Sequence, residues 1–80
     1  MRIDKYLKNT RIIKRRTVAQ EMINHSRVFV NDKPVKPSYE VKPGDRIKIL
    51  FPFKTVEVMV VSENEYKLLS ESRNDNIERE

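Results

Sequence analysis

Cysteine is absent, so no disulfide framework or thiolate metal site can staple this 80-residue chain. A reducing, cytoplasmic setting is the default expectation. Glycine occurs once, at Gly44, and no glycine-rich phosphate loop exists. Long apolar runs are also missing. The longest, Ile47 to Phe53 and Val56 to Val61, are interrupted by charge and too short to cross a bilayer. The N-terminus lacks the apolar stretch of a signal peptide, so no membrane association is expected. The single histidine, His25, has no companion ligands in view and reads as a helix-end filler. Ser26, Ser38 and Thr17 have no neighbouring base and orienting group that would activate a nucleophile. The acids Glu63, Glu65 and Glu71 are explained by solvation. These absences point away from an enzyme: no catalytic residue, no metal and no cofactor is expected.

Eighty residues allow one domain, and a chain of this length buries only roughly 60% of the surface its unfolded form exposes. There is no internal repeat and no low-complexity tract. What the chain does have is positive charge, unevenly spread. Residues 1 to 50 hold 13 cations and 5 acids, whereas residues 51 to 80 hold 4 cations and 7 acids. Within residues 1 to 16 the cations Arg2, Lys5, Lys8, Arg11, Lys14, Arg15 and Arg16 face one acid, Asp4. A basic half of this kind suits a polyanion. An anionic membrane would want a broad apolar face with aromatic or leucine anchors, and the few apolar positions here are needed by the fold. Composition alone leaves open that the charge is a solvated face.

Periodicity separates the charge from the core. Ile3 and Leu7 fall four residues apart while Arg2, Lys5 and Lys8 recur every third, so a helix from Arg2 to about Asn9 carries an apolar and a basic stripe on different faces. Barely two turns long, that helix must dock on the rest of the fold. Arg11 to Arg16 reads as a connector with Ile12 and Ile13 turned inward. Thr17 to Gln20 matches a capping box and predicts a second helix starting at Thr17, with Val18, Ala19, Met22 and Ile23 buried and Asn24, His25 and Ser26 ending it. Arg15 and Arg16 then lie beside free backbone N–H groups at a positive helix end, a combination that attracts phosphate. Asp4 is best read as a structural acid in the first helix that also orients an arginine. Tyr6 is balanced between packing and base stacking, and Phe29 reads as packing.

From Arg27 the period changes to two. Arg27 to Val30 predicts a strand, Asn31 and Asp32 a tight turn into Lys33 to Lys36, and Lys42-Pro43-Gly44-Asp45 a type II turn with positive φ at Gly44. Arg46 to Phe51 and Thr55 to Val61 alternate as half-buried strands, the second with Val56, Val58 and Val60 on one face. Residues 63 to 69 read as a helical turn or irregular extension. The boundaries expected are a folded domain over 1–69, with its motif core in 1–51, and a flexible polar tail over 70–80.

Several of these segments together resemble a known family. RIDKYL, then Arg11, KRRTVA at Lys14 to Ala19, RVFVNDKPVK at Arg27 to Lys36 and VKPGDRIKI at Val41 to Ile49 are similar to the S-four-type RNA-binding domain. In stand-alone form the chain is most similar to the RqcP family of ribosome-associated quality-control factors, relatives of heat-shock protein fifteen. The family's helix-to-strand junction and hairpin are usually glycine-containing; this chain has His25, Ser26 and Asp32 there. The resemblance implies an α+β fold, two short N-terminal helices packed on a small, mostly antiparallel sheet. It also implies an RNA-binding surface built from Arg2, Lys5, Lys8, Arg11, Lys14, Arg15, Arg16 and Thr17 on the helix pair and Arg27, Asn31 and Lys33 on the adjoining strand edge. The partners it implies are large ribosomal subunits carrying peptidyl-tRNA, contacted through rRNA and tRNA, and the tail-elongating factor RqcH, whose C-terminal alanine tailing the protein would support as a monomer. Two other readings stand beside it: recycling of stalled large subunits in the manner of heat-shock protein fifteen, and a protein-interaction module acting through the acidic tail.

Overall fold

A computed structural model describes residues 1–73. Two helices, α1 (Ile3–Asn9) and α2 (Arg16–Asn24), precede five strands: β1 (Val28–Val30), β2 (Lys33–Pro34), β3 (Arg46–Leu50), β4 (Lys54–Ser62) and β5 (Glu65–Arg73). They form one sheet in the order β2-β1-β3-β4-β5, every neighbouring pair antiparallel.

The core lies between the helices and one sheet face. Ile3, Tyr6 and Leu7 from α1, Ile13 from the connector and Ala19 and Ile23 from α2 are buried with Val28, Val30, Ile47, Ile49, Val56, Val58 and Val60 from the strands. Strand alternation supplies that face: Ile47 pairs with Val58 and Ile49 with Val56, while Lys48 opposite Glu57 lies on the other. Seven residues of α1 could not persist alone. The helix is held by its buried stripe and by its entry, where the Ile3 N–H donates to the Tyr39 carbonyl at 2.7 Å and Arg2 pairs with Glu40.

Both helices stop on left-handed residues that are not glycine. Thr10 caps α1 with its hydroxyl on the Tyr6 carbonyl at 2.8 Å, and Arg11 follows at φ 63°. In α2 the Ser26 N–H returns to the Ile23 carbonyl and the Arg27 N–H to the Met22 carbonyl, a Schellman ending with Ser26 at φ 59°. The β1–β2 hairpin is closed by Asn31 at φ 50° and Asp32 at φ 71°, the mirror-image turn that matches strand twist. Gly44 has φ 94°, and the Asp45 N–H donates to the Lys42 carbonyl at 3.0 Å, as a type II turn requires.

Three expectations are corrected, and the balance left open at Tyr6 is decided. No side chain caps α2, which begins one residue earlier than expected, at Arg16, with Arg15 at the cap position and Thr17 second in the helix. The capping box fails because Gln20 spends its amide on Asp4 instead. Val18 is exposed rather than buried. Residues 65 to 73 form a full strand paired along β4, so the region read as a helical turn and the first part of the expected tail are sheet. The remainder of that expected tail, 74–80, lies outside the described residues. Finally, Tyr6 is wholly buried, its hydroxyl donating to the Glu65 carbonyl at 2.5 Å, and is closed to base stacking.

Candidate nucleic-acid interface

The basic surface is organised by one acid. Asp4 is fully buried in α1, and its Oδ1 accepts the Lys5 N–H at 2.7 Å. Its Oδ2 takes the Gln20 Nε2 at 2.8 Å, the Arg2 Nη2 at 3.1 Å and the Arg16 Nε at 3.4 Å. The start of α1 and the first turn of α2 are thereby clamped side by side, with two guanidinium groups fixed at the junction. Burial alone would raise the Asp4 pKa. The hydrogen bonds from Gln20, Arg16 and the Lys5 N–H, with the attraction of Arg16, outweigh it and hold the carboxyl below its ordinary value of 3.8. Asp4 is therefore ionised at neutral pH. Its negative charge also lies at the N-terminal end of α2, where the cap is otherwise missing.

Arg2 and Arg16 are not consumed by this contact. Their side chains remain 44% and 43% exposed, so each guanidinium keeps donors turned to solvent. A planar fork held at one edge is pre-organised for phosphate oxygens or for stacking at the other. Arg15 is exposed at the N-terminus of α2 beside N–H groups that the helix leaves unpaired.

A second cationic group forms where the chain leaves α1. Lys8, Asn9, Arg11 and Lys14 line one hollow, drawn together by the left-handed turn at Arg11 and by the Ile13 N–H on the Leu7 carbonyl at 3.1 Å. Lys5 is exposed on the outer side of α1. Arg27 and Lys33 are exposed at the start of β1 and in β2. Asn31 differs from these: its Oδ1 accepts the Arg46 N–H at 3.0 Å and its Nδ2 donates to Asp45 Oδ1 at 3.2 Å. Both ends of its amide lock the hairpin to the Gly44 turn. Asp45 completes that lock, its Oδ2 accepting the Lys42 N–H and the Tyr39 hydroxyl, each at 3.0 Å.

Sequence reasoning missed Gln20, whose contact with Asp4 spans 16 residues and leaves no local pattern. It also missed Arg46, which lies between Asp32 at 3.5 Å and Glu57 at 3.7 Å on the sheet's open face. Among the described residues, no group of three or more His, Cys, Asp or Glu side chains could hold a metal ion, and no helix is long and apolar enough to cross a membrane.

Two short basic helices lying on an antiparallel sheet define an S4-type α+β domain. Comparison with known proteins agrees: residues 1–47 match the S4 domain. The RQC P-site tRNA stabilizing factor of Bacillus subtilis is 47% identical, over 75% of this chain and 70% of its own. The protein of the same name from Listeria innocua is 42% identical over 94% of this chain and 92% of its own. Among solved structures, the trimeric heat shock protein 15 of Vibrio cholerae superposes with a TM-score of 0.80 over 99% of this chain and 87% of that one; at 22% identity it speaks for the fold. The chain belongs to the S4-domain family, and within it to the family of the RQC P-site tRNA stabilizing factors.

Proposed function

We propose that this protein is a non-catalytic RNA-binding factor of ribosome-associated quality control, acting in the cytoplasm on large ribosomal subunits that still carry peptidyl-tRNA. Its work is positioning. Arg2, Arg15 and Arg16, with Lys5, Thr17 and the hollow of Lys8, Arg11 and Lys14, meet rRNA and tRNA phosphates, and Arg27 and Lys33 extend the contact along the strand edge. Asn31 serves this surface indirectly, by fixing the hairpin. The tRNA so held remains in place while the tail-elongating factor RqcH adds C-terminal alanine to the stalled chain. The observation that carries this reading is the Asp4 clamp, which fixes two half-exposed arginines from different helices at one point. The names of the relatives support the P-site tRNA as the object held.

The test is co-sedimentation with large subunits bearing peptidyl-tRNA, with RqcH scored in the same pellet. Neutralising about five to seven phosphates gives a log–log salt slope of about −4 to −6. Arg2→Ala and Arg16→Ala should each weaken binding and flatten that slope, whereas truncation after Arg73 should leave both unchanged. Salt-independent binding, or loss of binding on truncation alone, would move the active surface to the acidic C-terminal segment.

A further inference from the structure

The sheet face that carries the core is not covered to its end. On β5 this face continues as Tyr66, opposite Val60, and Leu68, opposite Val58. Tyr6 of α1 reaches only the start of this strand, at the Glu65 carbonyl, and Tyr66 stays 41% and Leu68 53% exposed. Together with Phe51, Lys54, Arg11 and Ile12 they line a groove between the α1–α2 connector and the outer strands. Lys54 stands 5.6 Å from the centre of the Phe51 ring and 3.5 Å from Glu71 on the groove's rim.

We infer that this groove receives one unpaired nucleobase of the bound RNA, stacked on Tyr66, with Arg11 and Lys54 on its flanking phosphates. The inference rests on the RNA-binding reading above and adds a site to it. Three observations select the occupant. Among charged neighbours its walls include the Phe51 and Tyr66 rings and the aliphatic Ile12 and Leu68, which offer a flat apolar face. Two cations, Arg11 and Lys54, stand at its edges against one acid, Glu71, which pairs with Lys54, so the rim keeps a net positive charge that suits a ligand carrying negative charge beside that face. Arg11 lines both this groove and the basic hollow of Lys8 and Lys14, so a strand whose phosphates lie in the hollow runs on into the groove. Aromatic side chains interleaved with cations are the general solution for unpaired nucleotides, because every base has a stacking face. Apart from Arg11 and Ile12, the lining falls beyond residue 47, outside the segment that matches the S4 domain.

The experiment compares a blunt RNA hairpin with the same hairpin bearing a three-nucleotide single-stranded extension that contains 2-aminopurine. Wild-type protein should bind the extended RNA more tightly and quench the 2-aminopurine. Tyr66→Ala should lose about 10-fold in affinity for the extended RNA and lose the quench, with affinity for the blunt hairpin and the salt slope unchanged. Tyr66→Phe should retain both. Equal binding of the two RNAs by wild type, or a Tyr66→Ala variant that binds and quenches like wild type, overturns the stacking site while leaving RNA binding intact. Failure of wild type to bind either RNA overturns both readings. A Tyr66→Ala effect on concentration-dependent mass in light scattering, without an effect on extended RNA, would assign the groove to a second copy of the chain instead.

Discussion

Replacing Asp4 by asparagine keeps the shape of the side chain and removes its charge. The Asn oxygen can still accept the Lys5 N–H. The other position becomes an amide NH2 facing three donors, the Gln20 amide and the Arg2 and Arg16 guanidinium groups. A hydrogen bond to a buried charge contributes about 1.5 to 3 kcal/mol. The two arginines are nearly half exposed and regain water when released, so their share is discounted to about 0 to 1 kcal/mol each. Gln20 carries most of the remainder, and the sum is a loss of about 2 to 3 kcal/mol. In a chain of this size that lowers Tm by about 10 to 20 °C and, at a urea m value near 1 kcal/mol/M, moves the midpoint by roughly 2 to 3 M.

The sign with pH follows from the depressed pKa. A carboxyl whose folded pKa lies below its unfolded value contributes stability that is complete above the ordinary value of 3.8 and is lost as pH falls through the folded one. Asparagine does not titrate. The stability gap between wild type and Asp4→Asn should therefore be constant from neutral pH to about 5 and shrink below about 4. Urea titrations at several pH values, with Gln20→Leu completing a double-mutant cycle, measure both effects; the cycle should return a coupling of about 1 to 2 kcal/mol. A loss under about 0.5 kcal/mol at neutral pH, or a gap that widens in acid, would refute the clamp.

Other substitutions test the turns and the surface. Gly44→Ala adds a methyl that meets nothing within 4 Å, so its cost is purely the φ of 94° and should be about 1 to 2 kcal/mol in urea unfolding. Ser26→Gly places the residue that a left-handed helix ending prefers at φ 59° and should stabilise the protein by about 0.5 to 1 kcal/mol, read as a higher Tm. Arg2→Lys keeps the charge but not the planar fork; it should preserve the salt slope of subunit binding while weakening it several-fold at every ionic strength.

Local pattern made much of this fold legible. Alternation marks β3 and β4 because Ile47, Ile49, Val56, Val58 and Val60 must all face one core. The Pro-Gly pair marks its turn, and the Ile3–Leu7 spacing marks α1. The failures share a physical cause, a partner distant in sequence. Gln20 sits where a capping glutamine would, yet it bonds to Asp4 on another helix. Tyr6, left open because it lies beside basic residues, is decided by the same kind of partner: its ring is enclosed and its hydroxyl reaches Glu65. β5 shows no burial alternation because all nine of its residues are exposed, and it is ordered by backbone pairing with β4. Arg11 and Ser26 occupy left-handed positions without the glycine that announces them. In the candidate interface the cations were legible from charge alone. That Asp4 orients an arginine was legible too, but not that it holds Arg16 and Gln20 of the other helix as well as Arg2.

That acid separates order from charge as the source of binding. Counting charges, Asp4 is a defect, one negative group beneath a surface proposed to meet phosphate. Removing it raises the net charge, and counterion release alone then favours tighter binding with a steeper salt slope. The geometry argues the opposite, because Arg2, just before α1, and Arg16, at the start of α2, share no other fixed point among the described contacts. Without Asp4 each must be immobilised at the moment of binding, and ordering a long, rotamer-rich side chain costs about 0.5 to 1.5 kcal/mol. For two arginines that cost exceeds what one more weakly placed charge returns at physiological salt, where surface attraction beyond about 8 Å is screened. A buried carboxylate among cations thus fits the proposed surface, whose proposed task of holding a tRNA in position demands fixed geometry more than it demands charge.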